Sequence, residues 1–190
     1  MNTTVSTNAK VYPGMICDSV EFFIHDNNLK AIQNGKIKTF AELSFTTISL
    51  LKEEINKNKE VKLALHDFHP SSEIKRVEQF AMCRFGGLDF QGDIKNGELQ
   101  DGEYWPCPNH GKCPFEGLLC KLPVVNGQRL TKQEVDLIKL SSTDKTNDVI
   151  AEDLGIPLGT FHQRKHKLYE KFFVQTKQEL TKLSAFLNII

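Results

Sequence analysis

The 190-residue sequence lacks several features that would place it in a membrane or on a broad polyanion surface. Lys and Arg balance Asp and Glu at 24 each, so any basic surface must be one focused patch. No run approaches the roughly 18 apolar residues of a membrane span. The first residues, MNTTVSTNAK, lack the basic start and apolar core of a secretion signal. We therefore expect no membrane partner and a cytoplasmic location.

Signatures of catalysis are also missing. We find no nucleophile-and-base pattern, no paired carboxylates and no glycine loop that could cradle a phosphate. The nearest approach is His66, Asp67 and His69, but a single histidine on a strand is more often structural than catalytic. We expect the protein not to be an enzyme.

Five cysteines are present, and without a secretion signal they indicate a reducing compartment. Four of them, Cys83, Cys107, Cys113 and Cys120, lie in or just before a stretch rich in Gly, Pro, Asn and Asp. Such a stretch buries too little apolar surface to hold one conformation by itself, and four thiolates supply the tetrahedral shell that zinc prefers. The sequence therefore predicts a structural zinc site at these four residues.

The cysteine spacing leaves alternatives open. The pattern C-x5-C-x6-C differs from the paired C-x2-C of zinc ribbons, and His110 could replace one thiolate. An iron–sulfur cluster is a second reading, because proline stands beside the cysteines as in some ferredoxins. In a third reading the thiols are reduced, partly buried and packed as small hydrophobes, as we expect for Cys17.

Residues before the cysteines predict an α+β domain. The apolar run 20–24 predicts a buried strand, followed by a turn at 26–28. The stretch 29–40 fits either a hairpin that turns at Asn34-Gly35 or a helix that Gly35 ends. We favour the helix.

Further along, Thr39 and Glu42 fit a capping box and predict a helix that reaches about Asn58. The alternation of Val61, Leu63 and Leu65 with other residues predicts a strand. The sequence at 70–72 predicts the start of another helix, which Gly86-Gly87 closes.

The segment from Thr146 to Phe172 predicts two helices joined by a tight turn. Gly155 suits the left-handed conformation that ends a helix, and Pro157 biases Ile156 away from the helical region. The second helix has an apolar face and, over residues 158–171, four Lys or Arg against one acidic residue. A helix with an apolar back and a basic front has the form that enters the DNA major groove.

From Leu130 onward the chain resembles the LuxR-type (GerE-type) helix-turn-helix family of bacterial transcription regulators. The resemblance covers roughly the final third of the chain and is more specific than a bare helix-turn-helix. The matching residues are Leu130-Thr131, Glu134, Leu137, Thr146-Asn147, Ile150-Ala151, Leu154, Ile156, Thr160-Phe161, Leu168-Tyr169, Lys171-Phe172 and Gln178-Glu179-Leu180. Asp144, Asp148-Val149 and His162 depart from the usual family residues.

The resemblance implies a four-helix DNA-binding domain whose third helix reads the groove and whose fourth supports dimerisation. Carried over by position, His162, Gln163 and His166 would face base edges. Phosphate partners would be Thr160, Arg164, Lys165 and Lys167. The homodimer contacts would come from Leu180, Leu183 and Leu187.

Together these observations predict an α+β N-terminal domain over residues 1–122 that includes a cysteine-rich loop segment at 83–120. A linker at 123–129 and an all-α four-helix LuxR-type helix-turn-helix domain at 130–190 follow. The expected function is that of a sequence-specific transcription regulator that binds double-stranded DNA. The alternatives are a sigma-like factor associated with RNA polymerase and an iron–sulfur redox-sensing regulator.

Overall fold

The computed structural model describes residues 11–190. The chain divides into two compact units, of which the first ends at Gly102 and the second begins at Glu103. The sequence predicts this boundary after residue 122 and a linker at 123–129. Residues 103–129 instead group with the C-terminal helices.

The first unit contains a five-stranded antiparallel sheet in the order β3-β2-β1-β4-β5. The predicted strand at 20–24 is confirmed as β1. The strands are β1 (Val20–His25), β2 (Asn28–Gln33), β3 (Lys36–Thr39), β4 (Ile94–Lys95) and β5 (Glu98–Leu99).

Two-residue turns connect β1 to β2 and β2 to β3. Asp26 and Asn27 have φ of 50° and 60°, and Asn34 and Gly35 have φ of 51° and 72°. Positive φ at both central residues gives the turn a twist that matches the twist of paired strands. The helix favoured over this stretch is therefore wrong, and Asn34-Gly35 turns a hairpin.

Three helices follow the hairpins: α1 (Phe45–Asn56), α2 (Lys59–Phe68) and α3 (Glu73–Arg84). The capping box of Thr39 and Glu42 is confirmed, but it opens a short 3-10 turn at Phe40–Glu42. Ser44 caps α1 instead, because its hydroxyl accepts a hydrogen bond from the Thr47 amide at 3.1 Å.

The strand expected around Val61 is wrong, since these residues lie in α2. The Asn58 side chain accepts hydrogen bonds from the Glu60 and Val61 amides and starts this helix. Val61 and Leu65 are buried whereas Leu63 is exposed, which is the period of a helix face. The helix predicted after residues 70–72 is confirmed as α3, and Ser72 caps it.

The core of the first unit forms where α3 packs against β1 and β2. The Phe22 ring from β1 lies 6.0 Å from the Phe85 ring, and Phe80 meets Phe85 edge-on at 6.3 Å. Glu21 is the neighbour of Phe22 on β1 and is also fully buried. One of its oxygens accepts a hydrogen bond of 2.8 Å from the Asp89 amide, and the other, Oε2, has no partner among the described residues.

The second unit begins with a loop and a small antiparallel hairpin, β6 (Val124–Val125) and β7 (Gln128–Arg129), which occupies the predicted linker. Asn126 and Gly127 form its turn with φ of 48° and 75°. Four helices complete the unit: α4 (Lys132–Ser141), α5 (Asn147–Asp153), α6 (Leu158–Phe172) and α7 (Lys177–Phe186). The predicted capping box of Thr131 and Glu134 opens α4.

The four helices enclose one apolar core. Helix α4 packs against the other three, and α5 packs against α6. The buried members of this core are Tyr104, Val125, Leu130, Val135, Leu137, Ile138, Ile150, Ala151, Phe161, Leu168, Phe172, Leu180 and Ile189. The chain is thus α+β with a helical C-terminal part. Over residues 11–190, every helix is too short or too polar to cross a bilayer.

Candidate functional site

Helices α5 and α6 are joined by a turn whose hydrogen bonds fix its geometry. The Gly155 amide donates to the Glu152 carbonyl at 2.9 Å, and the Ile156 amide donates to the Ala151 carbonyl at 3.0 Å. Gly155 has a φ of 62°, as predicted from its position. These two bonds are those of a Schellman motif, which closes α5 and turns the chain directly into α6.

Helix α6 has one buried and one exposed face. Phe161, Leu168 and Phe172 are buried in the core. His162, Gln163, His166 and Lys167 are exposed. The four exposed groups offer hydrogen-bond donors and acceptors and one cation on a single side of the helix.

The first turn of α6 is open to an anion. Pro157 precedes the helix and has no side-chain oxygen that could cap the first amides. Leu158 and Gly159 are exposed at this end, and Thr160 is half-buried. A helix start with unoccupied amides carries a partial positive charge.

Lys165 does not lie on the exposed face. Its ammonium is 3.3 Å from the Asn147 Oδ1 atom and 5.4 Å from the centre of the Tyr169 ring. Burial, with a smaller effect from Lys177, lowers the pKa of Lys165. The side chain therefore braces α6 against the start of α5, which differs from the phosphate role expected from the sequence.

Lys171 belongs to the predicted basic face of α6, but its ammonium also makes a contact within the unit. Its ammonium lies 2.6 Å from the Glu134 Oε1 atom, while the other oxygen of Glu134 accepts from the Thr131 amide at 2.7 Å. Burial alone would raise the pKa of Glu134, but Lys171 and Thr131 outweigh it and lower the pKa. The start of α4 is thereby tied to the end of α6. Arg164 is half-buried.

Acidic side chains are exposed on α5, the helix that packs against α6. Helix α5 carries Asp148, Glu152 and Asp153, and all three are exposed. Asp153 pairs with Lys145 at 2.7 Å. At the far end of α6, His166 lies 3.3 Å from Glu170. Among the described Lys and Arg residues of α6, Lys167 is the one that is exposed, and it lies in the second half of the helix.

A contact that the sequence reading missed secures the far end of α6. The Asn126 side chain in the β6–β7 turn donates a 2.8 Å hydrogen bond to the Lys171 carbonyl, in the last turn of the helix. Carbonyls in the last turn lack partners within the helix, so this bond satisfies one of them. The Asn-Gly pair alone predicts the turn, but no local pattern predicts its helix partner.

The part of the cysteine-rich segment that belongs to the second unit is the loop at 103–122, which is called the cysteine-rich loop below. Contacts of His110 hold this loop together. The His110 Nε2 atom lies 2.9 Å from the Trp105 carbonyl and Nδ1 lies 3.2 Å from Glu116 Oε1. Both ring nitrogens of His110 therefore lie within hydrogen-bonding distance of oxygen atoms of the same loop. His110, which the sequence suggests as an alternative metal ligand, would have to give up one of these contacts to bind a metal ion.

Glu116 links the loop to α4. Its second oxygen lies 3.1 Å from the Lys132 ammonium and accepts from the Gly111 amide at 2.8 Å. Burial raises the pKa of Glu116, but the Gly111 amide and Lys132 outweigh burial and lower it overall. The loop is therefore part of the helical unit.

The four predicted metal ligands are reduced cysteines. Burial raises the pKa of both Cys107 and Cys120, and the Cys113 charge adds to the rise at each. Cys83 lies in α3 of the first unit, where the Gln79 amide donates to its sulfur at 3.2 Å. Cys17, expected in the core, is exposed. Raised pKa values favour neutral thiols, whereas zinc binds thiolates.

A ready-made metal site is absent from the described part of the chain. Within residues 11–190, no three His, Cys, Asp or Glu side chains lie close enough together to hold a metal ion. The zinc site and the iron–sulfur alternative at Cys83, Cys107, Cys113 and Cys120 therefore stay predictions.

The three leucines predicted to form a dimer contact lie in different environments. Leu180 is fully buried in the core and Leu187 packs against it, so both serve the fold of their own unit. Leu183 is 39% exposed. Phe186, which the sequence reading did not select, is 75% exposed on the same helix.

Comparisons with known proteins add no relative. No family model matches the chain, and neither a curated protein nor a solved structure is significantly similar to it.

Proposed function

We propose that the protein is a sequence-specific DNA-binding transcription regulator and that α5, the turn and α6 form its helix-turn-helix. The observation that carries this proposal is the exposed face of α6. His162, Gln163 and His166 stand there on a helix whose opposite face is locked into a four-helix core. Amide and imidazole side chains on a rigid helix can hydrogen-bond to base edges in the major groove.

Phosphate contacts would come from Lys167 and from the amides at the start of α6. Lys167 is exposed, and the first amides of α6 are free of any cap from Pro157. Cations and helix N-termini bind phosphate and fix the register of a helix on the duplex. Lys165 and Lys171 would support α6 from behind, because both ammonium groups are engaged within the unit.

The experiment that tests the proposal is selection of bound sequences from a random duplex DNA pool, with the full chain and with Gln163→Ala. We expect the wild type to enrich a defined sequence. The variant should lose discrimination at one position by about 1–3 kcal/mol, which is typical of one good base contact. If the wild type enriches no sequence, the regulator proposal fails.

A dimer would place two copies of α6 on half-sites about 34 Å apart and would favour a palindromic sequence. Of the residues on α7, Leu183 and Phe186 are exposed and could supply the contact. The symmetry of the selected sequence tests this part of the proposal separately.

A second candidate function is favoured by the acidic surface of α5. Asp148 and Glu152 are exposed on the helix that packs against α6 and would repel phosphate that approaches them. A sigma-like module that contacts RNA polymerase would tolerate these charges better than a free-standing DNA binder. Binding of DNA that requires added polymerase would favour this second function.

A further inference from the structure

An open cavity of about 480 Å³ lies in the first unit, bordered by β2, the 3-10 turn, α1 and α3. Its apolar wall is formed by Leu29, Phe40, Leu43, Ile48 and Ile74. Small-molecule sites in proteins typically enclose roughly 300–1,000 Å³ and combine an apolar wall with a few polar groups. The cavity has the size and the lining of such a site.

Two of its polar groups are already occupied. The Asn28 side-chain amide donates to the Asp26 carbonyl at 2.7 Å, and the Thr39 hydroxyl donates to Glu42 Oε2 at 2.6 Å. These bonds belong to the hairpin turn and the capping box, so they maintain the wall. They leave few hydrogen-bonding groups for a neutral polar ligand.

The charged groups of the cavity are Lys30, Lys75 and Glu78. None of the three forms an ion pair within residues 11–190. The lining therefore carries two cations and one carboxylate. The Glu42 carboxylate, which interacts with Lys30, also interacts with Lys38, so the local excess remains one positive charge. This excess complements a ligand with a single negative charge.

We propose that this cavity binds a small amphipathic carboxylate. Its aliphatic part packs on the apolar wall and removes that surface from water. Half-exposed Ile74 is part of the surface that becomes buried. Its carboxylate pairs with Lys30 and Lys75, which lie on β2 and α3. The proposal does not depend on DNA binding, because every residue that lines the cavity belongs to the first unit.

The first test is isothermal titration of the full chain with decanoate, decanol and decylamine, which share an alkyl chain and differ in head group. We expect decanoate to bind at least about tenfold more tightly than decanol, a difference of about 1.4 kcal/mol, and decylamine to bind more weakly than either. Equal binding of the three probes would show that the cavity is a non-specific apolar patch and would contradict the proposal. Absence of decanoate binding would overturn the proposal outright.

Charge variants give the second test. Lys75→Gln should weaken decanoate binding about tenfold and leave decanol binding unchanged, whereas Glu78→Gln should strengthen decanoate binding. On α3, Lys75 is exposed and Glu78 is half-buried. Lys36→Gln is the matched control, since Lys36 is exposed on β3 and does not line the cavity. A Lys36 variant that weakens decanoate as much as the Lys75 variant would show attraction by general charge and overturn the assignment.

A third variant tests the apolar wall. Ile74→Trp places a larger ring at the half-exposed position and should block decanoate and decanol alike, with the melting temperature of the chain unchanged. Retention of wild-type affinity for both probes in this variant would mean that they bind elsewhere.

Discussion

The hydroxyl of Tyr104 accepts a 3.0 Å hydrogen bond from the ammonium of Lys139, across 35 positions of the chain. Tyr104 is buried in the core of the second unit and stacks on His110 with 4.7 Å between ring centres. Burial raises the pKa of Tyr104 despite the nearby ammonium, so the phenol stays neutral at physiological pH. One side chain thus joins the cysteine-rich loop to α4.

Tyr104→Phe should lower the free energy of unfolding of the second unit by about 1 kcal/mol, because one hydrogen bond is lost while the ring stays. Tyr104→Ala should cost about 3–5 kcal/mol, since it also removes a buried ring from the core. Urea unfolding followed by far-UV circular dichroism measures both. Lys139→Met is the matched partner variant, and the double variant with Tyr104→Phe should cost no more than either single change. Fully additive costs would contradict the bond.

Lys165 and Lys167 provide a matched pair for the DNA interface. Lys167→Met should weaken binding to all sequences and reduce the salt slope of the affinity by about 1, because one phosphate contact is lost. Lys165→Met should leave the slope unchanged, since its ammonium faces Asn147 and Tyr169. Fluorescence anisotropy with duplex DNA over about 50–200 mM salt checks both. A slope lost only in the Lys165 variant would mean that its side chain leaves the helix interface to meet DNA.

Glu21 should make the stability of the first unit depend on pH. Burial, opposed only in part by the Asp89 amide, raises the pKa of this carboxyl from 4.5 to about 8. A raised pKa in the folded state means that stability is greatest below about pH 4.5 and falls as the pH rises toward 8. Glu21→Gln removes the titration, so its advantage over wild type should grow by on the order of 3 kcal/mol between about pH 5 and pH 8.

Urea unfolding across this pH range measures the difference. Glu98→Gln is the control, because Glu98 is exposed on β5 and should track the wild type. A constant gap between Glu21→Gln and wild type at all pH values would show that Glu21 does not titrate in this range.

Phe173 ends α6 in a strained conformation. Its φ is 54°, a left-handed value that glycine tolerates best, and its side chain is 82% exposed. Phe173→Gly should therefore raise the melting temperature and stabilise the unit by about 1 kcal/mol. Phe173→Ala keeps the strain and removes the ring, so it serves as the control. A destabilised glycine variant would point to a contact made by the ring in an assembly.

Measuring the bound metal distinguishes the three interpretations of the cysteines, which are a zinc site, an iron–sulfur cluster and packed thiols. If the zinc prediction holds, elemental analysis of protein purified without air should find about one zinc per chain, lost in Cys113→Ser. Binding would have to deprotonate Cys107 and Cys120 against their raised pKa values, so zinc uptake should release protons. Iron found together with sulfide would support the iron–sulfur cluster. A chain without metal would mean that the four cysteines pack as small hydrophobic side chains.

The helices of the second unit could be predicted because their signals are local. Thr131 with Glu134, and Gly155 before Pro157, lie within a few residues of the boundaries that they set. The error at Val61–Leu65 has an equally local cause. Residues spaced by two and by four fit a strand, but the outer two also fit one helix face, and the Asn58 cap decides for the helix.

The inward position of Lys165 could have been predicted from helix geometry. It lies four residues after Phe161 and three before Leu168, and therefore on the same side of α6 as these buried residues. The contacts from Tyr104 to Lys139 and from Asn126 to Lys171 span 35 and 45 positions. No periodicity encodes such pairs, so the membership of residues 103–129 in the second unit could not be predicted.

The Asn126-Gly127 turn also limits how long the protein stays chemically unchanged. An asparagine followed by glycine is prone to lose its side-chain amide, and thermolabile asparagines are rarer in heat-adapted proteins. Here the amide is the donor to the Lys171 carbonyl, so conversion to aspartate would set a carboxylate against that carbonyl. Ageing at this one turn would loosen the far end of α6 while leaving its exposed face chemically intact.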